Sequence, residues 1–161
     1  MVPADRHRKG AAAGDFAREL IAGLRARPRR VSPKWFYDER GSRLFEEICE
    51  LPEYYPTRTE LALLERHAPE MAGLIGANAE IIEFGAGASR KIRLLLAALP
   101  SPARYLPVDI SGEHLVLAAQ ALQIDHPGLR VEPVVADFSV SLTLPAPAGT
   151  RVGFFPGGSI G

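Results

Sequence analysis

Two rhythms divide the sequence near Gly76. Before it, apolar residues recur at helical spacing and are broken by prolines. After it, short apolar runs alternate with amphipathic stretches. The runs at 81–84, 105–108, 131–135 and 152–155 predict four strands, and 90–99 and 113–124 predict the helices between them. In the second helix Leu115, Ala118, Ala119 and Leu122 fall at i, i+3, i+4 and i+7, which lays one face on a sheet. Strand and helix alternating at this spacing imply right-handed crossovers. The expected architecture is α/β: a Rossmann-like parallel sheet with helices on both faces.

The earlier part reads as a helical cap or lid, broken at Pro33, Pro52, Pro56 and Pro69. Thr57 and Glu60 have the Thr-x-x-Glu spacing of a capping box, so a helix is expected to begin just after Tyr54, Tyr55 and Pro56. Pro69 should kink or restart it. Phe16, Leu20 and Leu24 form one stripe behind a cap at Asp15, on a short helix that Pro28 ends. The predicted division is residues 1–76 as helical cap and 77–161 as a partial Rossmann-like domain. The closing residues, Phe155 to Gly161, leave a strand and turn where a following helix would begin. They predict a fragment truncated after its fourth strand, with that strand's outer edge open.

Composition narrows the class. The 161 residues carry 19 Lys+Arg against 19 Asp+Glu, so no global polyelectrolyte argument applies. With 47% hydrophobic and 24% charged residues the chain suits a globular domain and not a disordered one. Cys49 is the single cysteine. It excludes an internal disulfide and a cysteine-based zinc site, and it fits a reducing, cytoplasmic compartment. The longest aliphatic run, 94–99, is closed by Pro100 and is too short to cross a bilayer, so no membrane partner is expected. The first thirty residues hold eight Lys+Arg and three acids. Asp5, Asp15 and Glu19 interrupt that basic run and no aromatics alternate with it, so a nucleic-acid partner is not expected either. His67, His114 and His126 lack metal-ligand spacing, and no metal is predicted.

Ligands of open parallel sheets bind outside the carboxyl ends of the strands. The first strand runs into Gly85-Ala86-Gly87-Ala88-Ser89, and a helix follows at once. Gly85 and Gly87 let backbone approach a ligand, and free amides at the helix start favour an anionic group. Such a turn alone is a weak signal. A dinucleotide fingerprint wants a third glycine where this chain has Arg90, so a pyrophosphate suits the site less well than a carboxylate paired with Arg90 and Lys91. Asp109, ending the second strand, can accept from ribose hydroxyls, because Ser111 is better placed to cap the next helix. Asp137 and Phe138, ending the third, offer a carboxylate to an exocyclic amine and a ring to a flat base. Together these describe a nucleoside with an amino-acid tail: S-adenosylmethionine.

Several segments carry a resemblance to a known family: Pro33-Lys34-Trp35-Phe36-Tyr37-Asp38, Gly41-Ser42 with Leu44-Phe45, and above all Leu51-Pro52-Glu53-Tyr54-Tyr55-Pro56-Thr57-Arg58-Thr59-Glu60. They resemble the histidine-specific methyltransferases that make trimethylhistidine for ergothioneine, and the likeness runs from about Val31 to the last residue. It implies a class I methyltransferase fold and methyl transfer from S-adenosylmethionine to the α-amino group of L-histidine. It also implies that Tyr54 contacts the amino-acid substrate, that Tyr37 faces its amine, and that Gly85, Lys91, Asp109, Asp137 and Phe138 hold the donor. Gly158 and Ser159 stand where Ser and Thr are common in the family, and Ala88 removes a hydroxyl often present in the glycine turn. A family asparagine that anchors substrate would fall one residue beyond Gly161.

Transfer from a sulfonium needs alignment and exclusion of water more than covalent help. The third transfer leaves a fixed cation, which aromatic rings accommodate, and Tyr37 and Phe45 are the candidate rings. Phe45 also fits a core face with Leu44 and Ile48. Two other readings stay open on the sequence: a module that binds the donor without turnover, and a nicotinamide-dependent oxidoreductase, which Arg90 disfavours. A monomer is expected at full length.

Overall fold

The computed structural model describes residues 5–36, 38–87 and 89–157. The elements, in chain order, are α1 (Asp5–Arg25), a 3-10 turn (Pro33–Phe36), α2 (Glu39–Glu50), α3 (Tyr55–Ile75), β1 (Ala79–Phe84), α4 (Arg90–Ala98), β2 (Arg104–Asp109), α5 (Gly112–Asp125), β3 (Val134–Val135) and β4 (Thr150–Phe154). The four strands are parallel in the order β3-β2-β1-β4. The chain thus crosses over through α4 and α5 to build outward on one side, then returns to place β4 on the other side of β1. Ligands of such sheets bind where the strand order reverses, at the carboxyl ends beside β1.

Alternation along the strands separates two packing layers. Ala79, Ile81, Tyr105 and Phe154 join Leu64 and Ala72 of α3, Ile92, Leu95 and Leu96 of α4 and Leu122 of α5 in one core. Ile82, Leu106 and Val108 face the other way, against Phe84, Val134, Leu142 and Leu144. Leu115, Ala119 and Leu122 are the buried positions of α5, on the face that their spacing predicts. Gly76 ends α3 at φ 78, where its N–H bonds Ala72 O at 2.9 Å, a conformation that suits glycine.

The strand starts are locked on the second face. Glu80 and Arg104 are almost fully buried cross-strand neighbours. Glu80 Oε2 accepts from Arg104 Nε at 2.9 Å and from the Ala148 amide at 2.9 Å. Its Oε1 accepts from Arg151 Nε at 2.7 Å, and Arg104 Nη1 reaches Glu132 at 2.9 Å. Burial alone would raise the Glu80 carboxyl, but the Ala148 amide and both guanidiniums outweigh it and hold the group below its ordinary value.

Three local expectations are corrected. Helix α1 begins at Asp5, so Asp15 lies inside it and ion-pairs with Arg18 instead of capping. Helix α3 begins at Tyr55 with no side-chain cap. Thr57 instead donates to Cys49 Sγ at 3.2 Å, and Glu60 turns to Lys91. Pro69 sits within an unbroken α3.

Candidate functional site

Strand pairing alone brings the predicted donor residues to one rim. Gly85 leaves β1, Asp109 ends β2, and Val135 lies in register with Asp109, two residues before Asp137. The rings of Phe84, Phe138 and Phe155 close this rim from the second face, with centroid separations of 5.9 Å (Phe84–Phe138), 5.8 Å (Phe138–Phe155) and 6.3 Å (Phe84–Phe155). Gly85, at φ 74, is so close to Phe138 that a Cβ there would sit 3.9 Å from the ring. Gly87 faces open space.

The amides of the glycine turn itself are engaged within the fold. Those of Gly85 and Ala86 bond Val108 O at 2.9 and 3.2 Å, and that of Gly87 bonds Gly85 O at 2.9 Å. The turn is therefore braced on β2. The amides open to an anion are those of the first turn of α4, which begins after Ser89 in the left-handed region at φ 56. Arg90 does not share the role expected of it beside Lys91, since its Nη1 bonds Glu50 Oε1 of α2 at 2.5 Å. Lys91 Nζ pairs with Glu60 Oε2 at 2.5 Å and lies 3.7 Å from the position a Cβ of Gly157 would take.

The cap expected of Ser111 is not formed by its side chain, and Asp109 is partly engaged in the turn. Ser111 makes no side-chain cap bond, while Asp109 Oδ1 accepts from the Ser111 amide at 2.8 Å. One carboxylate oxygen of Asp109 thus shapes the turn. Asp137 is engaged on both sides. Its Oδ1 accepts from the Ser139 amide at 2.9 Å and from the Ser139 hydroxyl at 2.5 Å, and its Oδ2 pairs with Lys34 Nζ at 3.1 Å. Partial burial pushes the Asp137 carboxyl up, but Ser139 and Lys34 pull it further down, so it stays ionised below the usual carboxylate range. Lys34 Nζ also bonds Glu19 at 2.9 Å and lies 5.1 Å from the centre of the Trp35 ring, whose Nε1 donates to Glu19 at 2.9 Å. Phe16 packs edge-on against Trp35 at 5.2 Å. This cluster ties α1 and the 3-10 turn to the end of β3.

The predicted substrate-side rings, Tyr54 and Phe45, meet edge-to-face with centroids 6.0 Å apart. Leu44, Phe45 and Ile48 are each more than a third exposed, so the face they form is not core among the described residues. Tyr37 lies outside the described residues, as do Ala88, Gly158 and Ser159.

Sequence reasoning missed Lys34, Glu60 and Glu83 as members of this neighbourhood. Glu83 lies near the end of β1, buried, and accepts from the Tyr105 hydroxyl. Burial raises its carboxyl to about 7, against the pull of that hydroxyl and of nearby Lys91, with Asp109 adding to the rise. Burial and the adjacent Glu83 push the Tyr105 phenol up, so it stays a donor. An acid between Ile82 and Phe84 in an apolar strand was the available signal for Glu83. Among the described residues no three His, Cys, Asp or Glu side chains are grouped to hold a metal ion.

Residues 16–161 match the family described as histidine-specific methyltransferase, SAM-dependent. The chain belongs to that family. Among curated proteins, the histidine N-alpha-methyltransferase of Mycobacterium tuberculosis is 40% identical over 157 residues, 94% of this chain and 49% of the relative. That of Mycolicibacterium smegmatis is 39% identical over 153 residues, 93% of this chain and 47% of the relative. Ergothioneine biosynthesis protein 1 of Neurospora crassa is 45% identical over 91 residues, covering 55% of this chain and 10% of the relative. The chain spans about half the length of the two mycobacterial methyltransferases it matches. No helix among the described residues is long and apolar enough to cross a membrane.

Proposed function

We propose that this chain binds S-adenosylmethionine at the carboxyl rim of its sheet and forms part of the wall that presents the α-amino group of L-histidine to it, for methylation toward trimethylhistidine. The observation that carries the reading is the convergence of Gly85, Lys91, Asp109 and Phe138 beside the reversal of strand order. The donor residues fit the ligand by chemistry. The ammonium of Lys91 and the first-turn amides of α4 suit its carboxylate, Asp109 its ribose hydroxyls, and the Phe138 ring its base. Asp137 has both oxygens engaged, yet a carboxylate oxygen holds two lone pairs, so Oδ2 can accept from an adenine amine beside Lys34.

The sulfonium supplies an already activated methyl group. What falls to the protein is orientation and the protonation state of the acceptor. A chain-terminal α-amino group has a pKa of roughly 7.7 to 8 and that of a free amino acid is more basic still, so the site must favour its neutral form. Tyr37 is the residue proposed to face that amine. Tyr54 and Phe45 are proposed as substrate-side rings, suited to a nitrogen that gains fixed charge with each transfer. Residues 1–76 act in this reading as a lid over 77–161. The working state is proposed to be a cytoplasmic monomer acting on a small molecule, without metal, nucleic acid or membrane.

Calorimetry with S-adenosylhomocysteine, run beside transfer of a labelled methyl group to L-histidine, tests this. Binding to the rim, lost on Asp109→Ala, is the expected result. Preferred binding of a nicotinamide dinucleotide would overturn the assignment. Replacing Tyr37 with Phe and following mono-, di- and trimethyl products tests its role, and unchanged rates at every step would remove it from the chemistry.

A further inference from the structure

We propose that Lys91 and Glu60 together form a two-charge receptor for the amino-acid end of the methyl donor, Lys91 taking its carboxylate and Glu60 its ammonium. This rests on the donor reading above and assigns Glu60 a contact that the reading does not contain. The two side chains come from different helices, α4 and α3, and meet at 2.5 Å with 24% and 29% of their surface exposed. They occupy a partly enclosed position at the rim, in contrast to Arg90 and Glu50 nearby, which are 53% and 70% exposed. Gly157, beyond the end of β4, leaves the approach to Lys91 Nζ free of any side chain of its own.

An α-amino acid carries its two opposite charges on one carbon. Its complement is a cation and an anion held side by side, and that is what the Lys91–Glu60 pair presents. Opening the pair to admit the zwitterion exchanges one ion pair for two and leaves no charge alone in the recess. Lys91 acting without Glu60 would set the ligand's ammonium beside a second cation in a partly desolvated place, which is unfavourable. The other acids nearby are committed: Glu83 lies buried and bonded to the Tyr105 hydroxyl, and Asp109 braces the turn at Ser111. Glu60 is also on the helix whose start carries Tyr54 and Tyr55, so a donor held this way would steady the acceptor wall through the same residue.

The test is a cycle that pairs Glu60→Gln with removal of the ligand's amine. Calorimetry on the full polypeptide would use S-adenosylhomocysteine, its deaminated analogue that keeps the carboxylate, and 5′-methylthioadenosine, which lacks the tail. In the unaltered protein, deamination is expected to weaken binding about tenfold or more, as loss of a charge-assisted bond does. In Glu60→Gln that penalty should shrink to about twofold, while 5′-methylthioadenosine binds both proteins alike. An equal deamination penalty in both proteins would overturn the proposal. So would an equal tightening of both tailed ligands in Glu60→Gln, which would make Glu60 a mere competitor for Lys91. Should Glu60→Gln fail to hold 5′-methylthioadenosine, Glu60→Ala replaces it. An amine penalty that shrinks with 5′-methylthioadenosine still bound then supports the contact, and an undiminished penalty sinks it. If the unaltered protein binds none of the three ligands, the donor reading itself has failed.

Discussion

Replacing Glu83 with Gln should change stability little below about pH 4.5 and stabilise the fold increasingly from there to neutral pH. The side chain is 3% exposed, and its carboxyl is raised from an ordinary 4.5 to about 7, chiefly by burial. Because the folded value lies above the unfolded one, the native state holds a proton that the unfolded chain has released across this interval. The stabilising contribution is therefore complete below about pH 4.5 and is lost as pH rises through about 7. At 1.36 kcal/mol per pH unit the loss amounts to about 3 kcal/mol by pH 8. Gln mimics the protonated acid, and the Tyr105 hydroxyl can donate to its carbonyl oxygen as it does to Glu83. Urea unfolding of both proteins at intervals from pH 4 to pH 8 gives the difference in stability, in which other titrating groups cancel. That difference should grow in favour of Glu83→Gln by about 3 kcal/mol, most of it between pH 4.5 and 7. A flat difference, or one that shrinks, would show that burial does not hold a proton on Glu83.

Arg104→Met should destabilise the fold by about 3 to 5 kcal/mol in urea unfolding, because it strips a buried carboxylate of its main cation. The loss should be smaller in Glu80→Gln/Arg104→Met, where no fully buried charge is left unpaired and the partly exposed Arg151 can turn to solvent. Lys34→Met should raise the Asp137 pKa toward its ordinary value, followed by carboxyl-carbon NMR, and shift the emission of Trp35, the single tryptophan. Gly85→Ala should cost roughly 1 to 2 kcal/mol for backbone reasons, since its φ is 74 and a new methyl would meet Phe138 at an ordinary contact distance. S-adenosylhomocysteine should also bind that variant more weakly.

The sheet was legible because its strands are apolar runs spaced by helices whose own faces are periodic. Ile81, Tyr105 and Leu122 sit in the core that such a pattern implies. β3 was the least legible. The run from Val131 contributes an isolated bridge at Val131 and a two-residue strand at Val134–Val135, since only those positions pair with β2. Capping was misread where a side chain had a better partner elsewhere. Glu60 matches a capping box by spacing, but a lysine 31 positions later draws it away. Lys34 and Asp137 are separated by 103 positions, and no local pattern predicts that meeting. Arg90 was placed on the ligand because its neighbours were, whereas a long side chain on the first turn of α4 reaches α2 instead. The residues proposed to hold the donor still share one rim, because strand order and register fix where each backbone segment emerges.

The buried Glu80 has a consequence for assembly of the site at the far end of the strands. Arg104 and Arg151 stand directly across from it on either side, at matched positions of β2 and β4. Were β4 to slide by one residue, Arg151 would swing to the helix-covered face and Glu80 Oε1 would lose its partner in the interior. Phe155 and Gly157 would shift along the rim by the same step, away from Phe84 and Lys91. The arginine–glutamate clasp therefore works as an alignment key: it rejects the wrong offset at one end of the sheet, and the rim proposed to take the methyl donor at the other end inherits its geometry from that choice.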